Sequence, residues 1–198
     1  MKPIRIAING FGRIGRITFR RLMLRNDMEV IAINDLAETK NLAHLLKYDS
    51  VQGAFKGEVS VDGDFLLVDG KKIKVLNQAD PSLLPWKELA IDVVIESTGF
   101  FTEPEKARQH IDASGARKVI ISAPAKDIRE DVPYIVLGVN DHLINRNDDL
   151  ISNASCTTNN VAPLIKILHE NWGVQKGFIT TVHSYTKDQN LVDGPHKD

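Results

Sequence analysis

The chain has 198 residues, 25 lysines and arginines against 26 aspartates and glutamates, 42% hydrophobic residues and one cysteine. That length holds one domain with a full core, or one domain and the start of a second, while a net charge of −1 removes the electrostatic case for nucleic acid or an anionic membrane as a partner. No run of about 18 apolar residues offers a transmembrane helix, a lone cysteine excludes an internal disulfide and a cysteine-built zinc site, and Met1-Lys2-Pro3-Ile4-Arg5 runs straight into a strand pattern rather than a signal peptide, so a soluble cytoplasmic protein without a metal is expected.

The predicted elements alternate from the start. Residues 4–8 are a β-branched run of strand length, residues 13–24 carry the helical stripe Ile14, Ile17, Phe19 and Leu22, and residues 29–33 repeat the strand pattern. Strand, helix and strand within about thirty residues make a βαβ unit with parallel pairing. A short helix is expected over 39–47. Asp62-Gly63 and Asp69-Gly70 then lie between alternating strands and predict a small antiparallel insertion. The parallel pattern resumes with a strand at 92–96, a helix at 104–113 with proline in its first turn, and a strand at 118–122. Residues 134–137 and 150–152 are further strand candidates. Val161, Leu164, Ile165 and Leu168 predict a helix entering the core over 156–172, with Pro163 arguing against regularity beyond its first turns. A strand at 178–183 follows. The domain boundary is placed near 153, giving a first domain over 1–153 and a second beginning at 154.

Gly10-Phe11-Gly12-Arg13-Ile14-Gly15 has the G-x-G-x-x-G pattern between the first strand and the first helix. Gly10 permits a tight turn, Gly12 lets the backbone approach a pyrophosphate, and Gly15 lets helix and strand pack closely. The pattern is weak alone, but its context is complete: a preceding strand, a following helix, and an acid about 20 residues on, Asp35. That carboxylate can accept both ribose hydroxyls and repels a 2′-phosphate, which favours NAD over NADP. An α/β, doubly wound Rossmann-type sheet is therefore expected. Its carboxyl edge presents Asn34-Asp35, Ser97-Thr98-Gly99 and Ser122-Ala123-Pro124.

Cys156 lies where a strand hands over to a helix, in Ser152-Asn153-Ala154-Ser155-Cys156-Thr157-Thr158-Asn159. A helix N-terminus favours the thiolate there. His183, at a strand end in Thr181-Val182-His183-Ser184-Tyr185-Thr186, is a candidate base for that nucleophile if the fold joins them.

Together these segments resemble phosphorylating glyceraldehyde-3-phosphate dehydrogenase: Ile8 through Arg16, Asn34-Asp35, Ser97 through Phe101, Ser152 through Thr158, Thr181 through Thr186, and the tail Asp193 through Asp198. The resemblance covers the whole chain. It implies that Cys156 attacks the aldehyde of glyceraldehyde 3-phosphate and that His183 manages the protons. Ser155, Thr157 and Thr186 would bind the phosphates of substrate and of the attacking inorganic phosphate. Gly10, Gly12, Arg13, Ile14, Gly15, Asp35, Thr98 and Ser122 would bind NAD. It further implies a glycolytic homotetramer when full length and an α+β catalytic domain that only begins at residue 154, so that either a fragment or a truncated product is expected. Asn160 replaces a common second cysteine and Ala79 a usual basic residue. Two alternatives stand beside this reading: an erythrose 4-phosphate dehydrogenase, against which Asn34-Asp35 and Tyr48-Asp49-Ser50-Val51 lean, and a catalytically incompetent NAD-binding fragment.

Overall fold

Strand-length runs of isoleucine and valine build one eight-stranded sheet in the computed structural model, which describes residues 2–127 and 131–185. The strands are β1 (Ile4–Asn9), β2 (Met28–Asn34), β3 (Val59–Asp62), β4 (Phe65–Val68), β5 (Lys71–Leu76), β6 (Val93–Glu96), β7 (Lys118–Ile121) and β8 (Leu150–Ser152). The helices are α1 (Arg13–Leu22), α2 (Thr39–Lys47), α3 (Pro104–Asp112) and α4 (Cys156–Trp172). In space the order is β3-β4-β5-β2-β1-β6-β7-β8. The six strands from β5 to β8 in that order are parallel, and β4 and β3 extend the β5 edge in antiparallel pairs.

The insertion follows its turn chemistry. Asp69 and Gly70 both have positive φ, +48° and +77°, the requirement of a two-residue type I′ turn, and they join β4 to β5. β5 then pairs parallel with β2, so the antiparallel segment is part of the main sheet rather than a separate layer.

Both sheet faces are covered. Ile6 and Ile8 of β1 lie in one buried cluster with Phe11, Phe19, Leu42 and Leu46, whereas Ala7 between them lies in another with Trp86, Val94, Ala107 and Val119. Successive strand residues point to opposite faces. A strand buried on both therefore reads as a continuous apolar run, as Ile6-Ala7-Ile8 does. From β1 the chain steps to β2 and β5 on one side, then returns to β6, β7 and β8 on the other. The order reverses between β1 and β6, and a crevice opens beyond the carboxyl ends of those strands.

Several expectations are corrected. α1 ends at Leu22, two residues early. Residues 134–137 do not form a strand; only Tyr134 bridges, to Ser152. The reason is local: Asn140 accepts from the Val136 N–H at 2.8 Å and donates to the Tyr134 carbonyl at 2.7 Å, meeting backbone needs that a ladder would otherwise meet. α4 forms through Pro163 as a regular helix, yet contributes no buried residue: Leu164, Ile165, Leu168 and Trp172 are all exposed. Both faces of the sheet are already closed by the two clusters, and no described residue covers that stripe. Residues 178–183 are exposed and do not form a strand, and none of the described strands pairs with them. Among the described residues no helix is long and apolar enough to cross a membrane.

Candidate active site

Beyond β1 the chain turns at Gly10 with φ +90°, and a Cβ there would lie 2.6 Å from the Thr98 nitrogen. A Cβ on Gly15 would lie 2.1 Å from the Gly10 carbonyl oxygen. No side chain fits at either position, so the turn, the start of α1 and the loop after β6 close directly on one another. Gly12 is the N-cap of α1 and supplies no capping side chain. The first backbone N–H groups of the helix, at Arg13 and Ile14, stand at its N-terminal end. With the helix dipole behind them they suit a pyrophosphate.

Asp35, just past β2, braces this turn. Its Oδ2 accepts from the Phe11 N–H at 2.7 Å and its Oδ1 from the Ala37 N–H at 3.0 Å. Each carboxylate oxygen has a second lone pair, so acceptor capacity for ribose hydroxyls remains. Ser122 follows β7, and its N–H donates to the Glu96 carbonyl at 2.9 Å. Thr98 follows β6 and turns its hydroxyl inward. Its hydroxyl donates to Glu96 Oε1 at 2.5 Å and accepts from the Phe100 N–H at 3.0 Å, so its proton is already committed within the protein.

Glu96 was not singled out by sequence, nor were His110 and Trp86 behind it. It is buried at the end of β6 and takes hydrogen bonds from Asn9 Nδ2 at 2.5 Å, His110 Nε2 at 3.1 Å and the Thr98 N–H at 2.8 Å, besides the Thr98 hydroxyl. Trp86 Nε1 donates to His110 Nδ1 at 2.9 Å, which leaves the Nε2 proton to face Glu96. Asn34 donates to Asn9 Oδ1 at 2.6 Å and continues the network into β2. One signal was visible: Asn9, Asn34 and Glu96 are polar residues that each end a strand directly after an apolar run. Trp86 and His110 carry no local signal.

The second cluster is built at the junction of β8 and α4. Ala154, buried and non-glycine, has φ +56°, a left-handed conformation costing roughly 1–2 kcal/mol that redirects the chain into the helix. The Ser152 hydroxyl, accepting from the Ala154 N–H at 3.2 Å, supports the bend. Ser155 is the N-cap of α4, its Oγ accepting from the Thr158 N–H at 2.9 Å. Cys156 is thereby the first residue of the helix, and its Sγ lies 3.2 Å from His183 Nε2. His183 Nδ1 donates to the Ser184 carbonyl at 2.6 Å, which turns Nε2 toward the sulfur. The hydrogen bond to His183 holds the thiol below its ordinary range, with the Thr157 N–H and hydroxyl adding to it against partial desolvation. The same bond, with the Ser184 carbonyl, raises His183. Cys156, Thr157, Asn160, Thr181, His183 and Ser184 line an open cleft of about 270 Å³.

Of the sequence-derived site residues, Gly10, Gly12, Arg13, Ile14, Gly15, Asp35 and Thr98 gather at the β1–α1 turn, while Cys156, Thr157 and His183 gather at the start of α4. Ser155 sits beside the second group, with its hydroxyl engaged by Thr158. Thr186 lies outside the described residues.

Comparison with known proteins supports both halves. Residues 4–104 match the NAD binding domain of glyceraldehyde 3-phosphate dehydrogenase, and residues 155–198 match its C-terminal domain. The glyceraldehyde-3-phosphate dehydrogenase of Thermotoga maritima is 56% identical over 196 residues, covering 98% of this chain and 58% of that protein. Those of Clostridium pasteurianum (54% over 193 residues) and Streptomyces coelicolor (57% over 197 residues) each align with 98% of this chain and 57% of their own length. The chain thus spans a little over half the length of these relatives. With an NAD binding domain over more than half of its residues and a match to the C-terminal domain, the chain belongs to the glyceraldehyde 3-phosphate dehydrogenase family.

Proposed function

We propose that this chain carries the cofactor site and the nucleophile of an NAD-dependent, phosphorylating oxidation of glyceraldehyde 3-phosphate to 1,3-bisphosphoglycerate. The observation that supports it most is the 3.2 Å approach of His183 Nε2 to Cys156 Sγ at the start of α4, in a family member whose first domain binds NAD. The domains are taken as 1–153 and 154–198.

Cys156 acts as the nucleophile. His183 Nε2 accepts the thiol proton, and the resulting thiolate is stabilised by the imidazolium and by the helix N-terminus. The sulfur attacks the aldehyde carbon, the imidazolium returns its proton to the oxygen to give a thiohemiacetal, and the neutral His183 then removes that hydroxyl proton as the carbon is oxidised. The Gly10–Gly15 turn, the Arg13 and Ile14 N–H groups, Asp35 and the backbone near Thr98 and Ser122 would hold NAD, which would supply the hydride acceptor. The thioester left on Cys156 is attacked by an oxygen of inorganic phosphate. The carbon–sulfur bond breaks, and Cys156 returns as thiolate. Ser155, Thr157 and Thr186 bind the phosphates of substrate and attacking ion. The reading carries with it a glycolytic, cytoplasmic homotetramer, in line with the lone unpaired thiol and the absence of charge suited to nucleic acid or membrane.

The open setting of Cys156 and His183, both exposed, favours a second reading in which this length of chain binds NAD without turning over. Reduced nicotinamide formed from glyceraldehyde 3-phosphate, with and without inorganic phosphate, separates the two when NAD binding is measured alongside. Phosphate-dependent turnover supports the first reading; NAD binding without turnover supports the second. Faster turnover of erythrose 4-phosphate overturns the substrate assignment.

A further inference from the structure

Glu96 is the most fully engaged buried carboxylate among the described residues, and the reaction gives it no role. It sits where the strand order reverses, at the carboxyl end of β6 beside the end of β1. Four donors converge on its two oxygens, so it functions as acceptor throughout. Oε2 holds the Asn9 amide, one residue before the glycine turn, and Oε1 holds both the N–H and the hydroxyl of Thr98. The Thr98 nitrogen is the atom that a Cβ on Gly10 would meet at 2.6 Å. One side chain therefore sets both walls of the crevice against each other. The chain Trp86 to His110 to Glu96 fixes its orientation from behind, with each donor and acceptor assigned once.

We propose that Glu96 is a positioning residue for the dinucleotide, holding Asn9 and Thr98 so that the glycine turn and the loop after β6 keep the spacing NAD requires. This rests on the cofactor reading above. It also accounts for a hydroxyl at Thr98 whose proton is turned inward: the hydroxyl serves the shape of the wall, and the backbone beside it faces the crevice. Residues that touch no ligand but orient those that do commonly carry a large share of affinity, because a small displacement is felt at every contact.

Calorimetric titration of NAD into the wild-type chain and into Glu96→Gln, Thr98→Val and the double variant tests this, with apo melting temperatures measured in parallel. Glutamine keeps the volume but turns one acceptor into a donor facing donors. Folded Glu96→Gln should bind NAD roughly tenfold more weakly, Thr98→Val several-fold more weakly, and the double variant little worse than Glu96→Gln alone. A role confined to core stability lowers the melting temperature and leaves the dissociation constant of the folded protein unchanged, which overturns the proposal. Full additivity of the two losses overturns it as well. If Glu96→Gln does not fold, Thr98→Val decides: an unchanged dissociation constant overturns the proposal, and a raised one supports it. A wild-type chain that binds no NAD fails the cofactor reading itself, whereas wild-type binding with unaltered variants fails only the positioning.

Discussion

The thiol chemistry rests on two side chains brought together from opposite ends of a helix-and-tail segment. His183 lowers the Cys156 thiol and is itself raised by it, so both shifts favour the thiolate–imidazolium pair. As pH falls, the sulfur keeps its charge to lower values than a free thiol does. The rate of iodoacetamide labelling against pH should therefore show a midpoint below the ordinary thiol range of about 8.5. His183→Asn should move that midpoint upward; an unshifted titration in both proteins contradicts the pairing. Asp35 has two duties, bracing the Phe11 N–H and offering acceptors to ribose. Asp35→Asn should lose roughly tenfold or more in NAD affinity while narrowing the preference over NADP, since a repelling charge is removed. Equal losses for both cofactors would mean that Asp35 only holds the turn.

At the scale of elements, α4 is the least supported helix and the clearest place to read propensity without packing. Pro163 has no N–H for the Asn159 carbonyl and lies inside a helix with no buried residue. Pro163→Ala should raise amide-exchange protection along 156–172, by a free energy of up to about 3 kcal/mol, the usual cost of an interior proline. Unchanged protection would show that neighbouring contacts, not propensity, set the helix. Much of the rest was legible because its signal is local. The strand at 4–8, the helix at 39–47 and the Asp69-Gly70 turn each carry their own periodicity or dihedral requirement. The strand expected at 134–137 failed because Asn140, farther along the chain, meets the backbone's hydrogen bonds. The strand expected at 178–183 and the burial expected of α4 failed for a related reason: apolar patterning states what a segment can pair with or cover, not whether a partner lies there. The glycine turn, Asp35, Cys156 and His183 stood out by motif, whereas Glu96, His110 and Trp86 are distant in sequence and meet only in the folded core.

The whole molecule divides its chemistry between two ends of one sheet topology. The reversal between β1 and β6 makes the dinucleotide crevice, and the last strand, β8, delivers Cys156 to the head of α4. The proposed oxidation passes through a covalent bond to that sulfur. Mixing the protein with NAD and glyceraldehyde 3-phosphate in the absence of inorganic phosphate, then measuring intact mass and mapping the modified peptide, tests it most directly. The expected result is one phosphoglyceroyl group on Cys156 for each reduced nicotinamide formed, released when phosphate is added. Reduced nicotinamide without an adduct on Cys156, or an adduct on another residue, would contradict it.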